Sequence, residues 1–420
     1  MRAFLIGEIM IKTDLFDVLK ERGLLYQSTD EEALKKLLES GEKIAVYEGT
    51  DPTMDSIHIG HCVPFCIMRR FQQAGHKVYL LMGGATACIG DPSGKSEMRQ
   101  LMSKEQIEAN IAKIKQSLSI FLDFEGENKA EIVNNADWFK GYDYIDFMRE
   151  IGIHFNVNEM LTNEIYANRL KEGGLTFFEM GYMLMQAYDF VHLNKAKGCK
   201  LEWGGADQWG NIAAGVKLAR KLNFADGGKR EMIGATNPLL LTPEGKKMGK
   251  TEKGAIWIDK DKISAYDFYQ GVYQTPDACV EMMFALFTDI PMQEIRVLIK
   301  EDIVKAKKRL CYEITKFVRG EEDAVKAQQM SENLFTQGGD DAPVYELSKN
   351  ELDINICDLL VRTKLCSSKS DARRMIEGGA ISMKGEKVAD FTLMITATHF
   401  DNDSILLKKG KKNFIKVQLI

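Results

Sequence analysis

Residues 43–84, KIAVYEGTDPTMDSIHIGHCVPFCIMRRFQQAGHKVYLLMGG, decide the fold. The run 43–47 (KIAVY) reads as a short buried strand, and a helical segment precedes it, ending near Ser40 and Gly41. Residues 48–60 form a loop, and 63–73 return to helical apolar spacing. Residues 77–82 (KVYLLM) are a second strand that runs into the glycine-rich stretch 83–95. Strand, loop, helix and strand at this spacing make a βαβ unit, so a parallel sheet covered by helices is expected. Ligands of such sheets bind beyond the carboxyl ends of the strands. Both loops that leave these two strands are therefore candidate site segments.

Outward from this unit, 176–194 has a helical pattern and 200–203 reads as a strand ending in Gly204 and Gly205. Residues 239–254 are rich in Gly, Lys and Thr without a clear period, which predicts a mobile loop. The stretch 263–320 is helical in character, punctuated by Pro276 and Pro291, and 336–343 (TQGGDDAP) reads as a linker. Residues 353–420 predict two short helices, 354–360 and 369–377, followed by strands from 380–383 onward.

A length of 420 residues suits two or three domains, and 45% apolar with 28% charged residues excludes broad disorder. No apolar run reaches the ~18 residues that a membrane span needs. The opening 1–10 lacks a signal-peptide pattern and Met10 is an alternative first residue, so a cytoplasmic protein is expected. The eight cysteines show no CxxC pair and no zinc spacing, so no protein-held metal is expected. Cys62 and Cys66 sit among apolar neighbours and read as core. The net charge of −5 argues against a general nucleic-acid binder. Yet residues 353–420 hold 12 Lys/Arg and 8 Asp/Glu, a net of +4 that leaves −9 for residues 1–352. A basic tail on an acidic body points to a localised nucleic-acid contact.

Four clusters carry chemistry. His58-Ile59-Gly60-His61 opens a helix, where imidazoles and backbone N–H groups can meet phosphates; the alternative is one capping and one core histidine. Lys247-Met248-Gly249-Lys250-Thr251 can fold two cations over a triphosphate, or can be a solvated loop. Tyr182, Gln186 and Asp189 share one helix face, and Phe177, Phe178, Met183, Leu184 and Phe190 wrap that helix, implying burial. A phenol, an amide and a carboxylate in one buried stripe suit a polar amphipathic ligand. Asp207 and Gln208 follow Gly204 and Gly205 at a strand end, where a carboxylate suits a ribose. Residues 90–95 (GDPSGK) fall one residue short of a P-loop. In the tail, Lys369, Arg373 and Arg374 lie along one short helix, and Lys408, Lys409, Lys411 and Lys412 form a second basic cluster.

HIGH followed by KMGKT resembles the paired signatures of class I aminoacyl-tRNA synthetases, the second as a variant of KMSKS. Residues 51–53 (DPT), 83–95, 182–189 (YMLMQAYD) and 204–211 (GGADQWGN) resemble the bacterial-type tyrosyl-tRNA synthetases. Residues 359–385 resemble an S4-type RNA-binding domain. The likeness runs from about Leu15 to the C-terminus. It implies an α/β fold: a Rossmann-type parallel-sheet catalytic domain (1–245), a KMGKT loop with a helical anticodon-arm domain (246–342), and a small α+β S4-like domain (353–420).

It also implies activation of L-tyrosine with ATP and Mg²⁺, transfer to the 3′ end of tRNA(Tyr), no tightly bound cofactor, and a homodimer formed around 144–161. By the same resemblance Tyr47 and Asp189 hydrogen-bond the substrate phenol, so phenylalanine would leave both unpaired. Tyr182, Gln186 and Asp91 hold the α-ammonium, and Gln208 lies by the carboxyl. Asp51, Gly60, Gly205, Asp207 and Lys250 face ATP; Thr53, His58, His61, Lys247 and Lys250 stabilise the transition state. Glu48, where some relatives carry cysteine, and Gly249, where many carry serine, depart from the pattern. The rivals are a tryptophanyl synthetase, a small-molecule nucleotidyltransferase, and a non-catalytic RNA-binding protein on a synthetase scaffold.

Overall fold

Short apolar runs alternating with helical segments build a six-stranded sheet in the computed structural model of the chain. The structure describes residues 14–53, 55–93, 102–227, 231–245, 247–251, 254–336, 343–401, 403–410 and 413–420. Met1, Met10, Gly94, Lys95, Lys411, Lys412 and most of the linker 336–343 lie outside the described residues. Backbone contacts divide the chain into two units, Met1–Ser264 with Gly271–Arg319, and Ala265–Gln270 with Gly320–Ile420.

In the first unit the strands are β1 (Gln27–Ser28), β2 (Ala45–Thr50), β3 (Lys77–Met82), β4 (Glu131–Asn134), β5 (Cys199–Gly205) and β6 (Ile233–Asn237). Their order is β1-β6-β5-β2-β3-β4, with β2 to β6 parallel and β1 antiparallel to β6. Strand β2 runs beyond Tyr47 because Glu48, Gly49 and Thr50 pair with Leu80, Leu81 and Met82. From β2 the chain proceeds outward to β3 and β4, then returns to lay β5 and β6 on the other side. The reversal opens a crevice beyond the carboxyl ends of β2 and β5, where α/β sheets bind ligands.

Both faces of the sheet are covered. Trp203 meets Phe71 of the helix Cys62–Gln73 edge-on at 5.5 Å, while Tyr47 meets Phe190 of the helix Phe177–Lys197 at 5.4 Å. The latter helix starts with a capping box between Thr176 and Glu179 and stops at Gly198, left-handed with φ 69°. Its first turn corrects the sequence reading: Phe177 and Phe178 are 70% and 45% exposed, and the helix is buried through Met183, Leu184, Ala187 and Phe190. Cys62 and Cys66 are core residues, as read.

Pro291 precedes the helix Met292–Glu301, which packs with Val280–Phe287 and Ile303–Arg319. Arg22 and Arg70 tie this bundle to the sheet, both donating to the carbonyls of Ala285 and Thr288 at a helix C-terminus, where cations are favoured. The described residues of 239–254 make two short pairings. Leu241 bridges to Lys247, and β7 (Lys250–Thr251) pairs antiparallel with β8 (Gly254–Ala255).

The second unit carries the helices Ile356–Arg362 and Lys369–Glu377 and a five-stranded sheet. Its strand Asn413–Leu419 pairs antiparallel with Ser404–Lys409 and parallel with Val344–Leu347. Leu359, Leu360, Ala372, Ile376, Ile381, Leu407 and Val417 form its own core. Among the described residues no helix is long and apolar enough to cross a membrane.

Candidate active site

Three strands, β2, β3 and β5, and the loops after them deliver much of the site. Tyr47 comes from β2 itself, Asp51 to His61 from the loop after it, Asp91 from the loop after β3, and Asp207 and Gln208 from the turn after β5. Tyr182, Gln186 and Asp189 arrive on one face of the helix Phe177–Lys197. Asp189, 1% exposed, is held by two donors: Asn135 Nδ2 at 3.1 Å on one oxygen and Trp138 Nε1 at 2.8 Å on the other. Burial pushes its carboxyl well above the usual range, against these two bonds, which favour the charge. Both oxygens of Asp189 therefore have partners within the chain. Tyr47 differs: its hydroxyl is buried with no hydrogen bond of standard geometry among the described residues. Burial, with the Glu202 and Asp189 carboxyls close by, raises its phenol well above the ordinary tyrosine range. Glu202 lies close enough to this hydroxyl to act on it both through its charge and as a hydrogen-bonding acceptor, though no bond of standard geometry forms between them.

Asp51 sits at this end of the site, accepting from Tyr182 Oη at 2.9 Å and from Thr86 Oγ1 at 2.9 Å. Gln208 Nε2 donates to Asp91 Oδ2 at 2.8 Å, while Asp91 Oδ1 takes the Ser93 amide at 3.0 Å. The structure thus joins Asp51 to Tyr182 and Asp91 to Gln208, two pairs that the sequence separates by more than a hundred residues.

At the opposite end the two signatures pack directly on one another. His58 Nδ1 accepts the Gly60 amide at 3.2 Å, and its ring stacks on His61 at 3.7 Å. A Cβ on Gly60 would lie 2.3 Å from the Met248 carbonyl, and one on Gly249 only 2.6 Å from His58 Nδ1. Gly249 also sits at φ 112°, a conformation that side-chain-bearing residues rarely adopt. Gly60, expected by resemblance to face ATP, here leaves room for the second signature. Lys247 Nζ reaches Asp207 Oδ2 at 2.7 Å. Thr53 donates its amide to the Asp51 carbonyl at 2.8 Å. The backbone of Gly205 ends β5, and a Cβ there would press on Asp207 at 2.8 Å. The backbone of Lys250 lies in β7; its side chain is outside the described set.

Sequence reasoning missed Asn135, Trp138 and Glu202. Glu202 is the more legible omission, a carboxylate set between Leu201 and Trp203 within a strand. It is 2% exposed and accepts from Gln186 Nε2 at 3.1 Å. Asn135 and Trp138 follow β4, a strand of only four residues that carries little periodic signal. Glu48 is buried too, with Thr50 Oγ1 at 3.0 Å from both oxygens, and burial pushes its carboxyl up to about 8.

In the second unit Lys369, Arg373 and Arg374 do share the helix Lys369–Glu377. Each has an acidic neighbour, Asp358, Glu377 and Asp371 respectively. Lys409 also contacts Asp371, and Lys408 lies over the Phe414 ring.

Residues 39–336 match the family model for class I tRNA synthetases (W and Y), and 335–417 match that for the C-terminal domain of a tyrosine–tRNA ligase. The tyrosine–tRNA ligase of Clostridium tetani is 47% identical over 96% of this chain and 98% of its own length. That of Acetivibrio thermocellus is 47% identical over 97% of this chain and 100% of its own. A C-terminally truncated mitochondrial tyrosyl-tRNA synthetase from Aspergillus nidulans superposes with a TM-score of 0.67 at 28% identity, covering 77% of this chain and 94% of the other.

Proposed function

The chain belongs to the tyrosine branch of the class I tRNA synthetases, and we propose that the crevice at β2 and β5 is where it works. It is an ATP-dependent aminoacyl-tRNA ligase that activates L-tyrosine and transfers it to tRNA. The assignment of residues to that activity is our own reading. What carries it is the buried Tyr47 hydroxyl, without a hydrogen bond of standard geometry and set beside the Glu202 and Asp189 carboxyls, a polar pocket that a phenol can engage and a phenyl ring cannot.

Tyrosine enters with its phenol between Tyr47 and Asp189 and its α-ammonium toward Tyr182, Gln186 and Asp91. Gln208 lies where the carboxylate must be. ATP follows along the strand ends, its ribose on Asp207 against Gly205, with Asp51 and Gly60 lining the path. The tyrosine carboxylate attacks the α-phosphorus, the bond to pyrophosphate breaks, and tyrosyl-adenylate remains bound. Thr53, His58, His61, Lys247 and Lys250 meet charge that grows on the leaving phosphates, so their binding energy appears in the transition state. The tRNA 3′-terminal hydroxyl then attacks the adenylate carbonyl and releases AMP. Mg²⁺ travels with the triphosphate, held by phosphate oxygens and water.

The functional division follows the chain: tyrosine and ATP binding in 1–245, the KMGKT loop and an anticodon-arm helical part in 246–342, and RNA binding in 353–420 through Lys369, Arg373, Arg374, Lys408, Lys409, Lys411 and Lys412. A homodimer forms over 144–161, where Tyr144, Ile145, Ile153 and Val157 stand exposed. The eight cysteines are free thiols, which suits a reducing cytoplasm. ATP–pyrophosphate exchange across the twenty amino acids tests the assignment. Tyrosine alone should support exchange; tryptophan in its place, or no exchange at all, would overturn it.

A further inference from the structure

Glu202 of β5 and Tyr47 of β2 are register partners on adjacent parallel strands, so both side chains project to the same face. Tyr47 Oη and Glu202 Oε2 face one another there as donor and acceptor, short of standard hydrogen-bond geometry, while Gln186 Oε1 is buried with no partner among the described residues. Buried polar atoms in native proteins are nearly always paired, so the open amide oxygen marks a place for a donor from a ligand. The other carboxyl oxygen, Glu202 Oε1, accepts the Gln186 Nε2–H at 3.1 Å. A carboxylate can only accept, and a primary amide has one donating and one accepting end. Glu202 therefore fixes which way the Gln186 amide is turned, with its N–H on the carboxylate and its carbonyl oxygen left unpartnered.

We propose that Glu202 is a positioning residue for the amino acid's α-ammonium: it locks Gln186 with the carbonyl toward the substrate. The inference rests on the tyrosine-binding role given to Gln186 above and adds to it the reason for the amide's orientation. A neutral amide at position 202 would bond to either end of Gln186 and lose the lock. A proton on Glu202 has the same effect, since a carboxylic acid also donates. The groups facing this carboxyl are Tyr47 from β2 and Gln186 and Asp189 from the helix Phe177–Lys197. Gly234 of β6 and Gly215 of the helix Trp209–Asp226 present no side chain. Trp203, next in the strand, faces the helix Cys62–Gln73 on the other side. In this apolar setting burial pushes the Glu202 carboxyl up to about 7, against the hydrogen-bonding contacts of Gln186 and Tyr47, which favour the charge.

The test is the pH profile of tyrosine KM in ATP–pyrophosphate exchange between about pH 6 and 8.5, for the full-length protein, E202Q, Q186A and the double variant. For the unaltered protein KM should rise as pH falls through about 7, with kcat little changed. E202Q should raise KM about tenfold at high pH, as loss of one charge-assisted hydrogen bond implies, and flatten the profile. In the Q186A background E202Q should add less than about twofold, because both changes remove one coupled unit. An E202Q protein with unaltered KM and pH profile would overturn the proposal, and so would additive effects in the double variant. If E202Q fails to fold, a pH-independent KM in the unaltered protein overturns it instead. Absence of tyrosine-dependent exchange in the unaltered protein would sink the underlying functional reading and not merely this role for Glu202.

Discussion

Lys247 Nζ lies 2.7 Å from Asp207 Oδ2, so a cation assigned to the triphosphate rests on the carboxylate assigned to the ribose. The lysine side chain is 61% exposed, which limits such an ion pair to about 0–1 kcal/mol. ATP binding needs to break only a weak bond, and the lysine is then released toward the phosphates. Replacing Lys247 with alanine should therefore change equilibrium ATP affinity by less than about fivefold. The single-turnover rate of adenylate formation should drop by about a hundredfold or more. A variant that loses ground-state ATP affinity and forms adenylate at the normal rate would reverse the assignment.

Gly249 gives the second prediction. Its φ of 112° and the 2.6 Å that would separate a Cβ there from His58 Nδ1 mean that serine, the common residue here in the wider class, does not fit this arrangement. Strain of this kind costs about 1–3 kcal/mol. In the Gly249→Ser protein the KMGKT loop should leave the HIGH segment, and tryptic cleavage after Lys247 or Lys250 should accelerate about tenfold in the absence of ATP. Equal cleavage rates would show that the packing of the two signatures does not depend on glycine.

The Tyr47 hydroxyl makes no hydrogen bond of standard geometry among the described residues, so Tyr47→Phe should leave the melting temperature within ~2 °C. Tyrosine KM should rise about tenfold and the preference for tyrosine over phenylalanine should shrink by the same factor, as expected for one hydrogen bond. A large loss of stability with unchanged preference would make Tyr47 a packing residue.

Glu48 carries a pH dependence of stability. Its carboxyl is raised from 4.5 to about 8 by burial, so the folded chain holds the proton more tightly than the unfolded chain. That contribution is fully present below about pH 4.5 and is lost as pH rises through about 8. Its size is at most on the order of 5 kcal/mol. Glu48→Gln should melt close to the unaltered protein at pH 5 and several degrees higher at pH 9. Parallel melting curves at the two pH values would contradict the buried, neutral carboxyl.

Arg373 and Arg374 predict a split between the two half-reactions. Reversing both to glutamate should raise the KM for tRNA more than about tenfold and flatten its salt dependence by about two phosphate contacts. Amino-acid-dependent pyrophosphate exchange is the internal reference. An unaltered salt slope would move the RNA contact elsewhere on the second unit.

The βαβ frame, the order of the two signatures and the Tyr182–Gln186–Asp189 stripe were legible from the residues alone, because each is written in local spacing. A strand, a helix face and a loop of defined residues need no knowledge of distant neighbours. Sequence reasoning misread Phe177 and Phe178 as burying the central helix, since aromatic content does not say which turn of a helix reaches the core. It also read 239–254 as aperiodic, because two-residue strands leave no period to detect.

Only the tertiary structure decided which partners meet. Asp51 joins Tyr182, Asn135 and Trp138 hold Asp189, and Glu202 turns Gln186, all across sequence gaps that spacing cannot bridge. The contacts of the two signature glycines are likewise visible only in the fold, where Gly60 faces Met248 and Gly249 faces His58. Hydrogen bonds and close contacts act over about 3 Å, and the fold alone brings such residues that near.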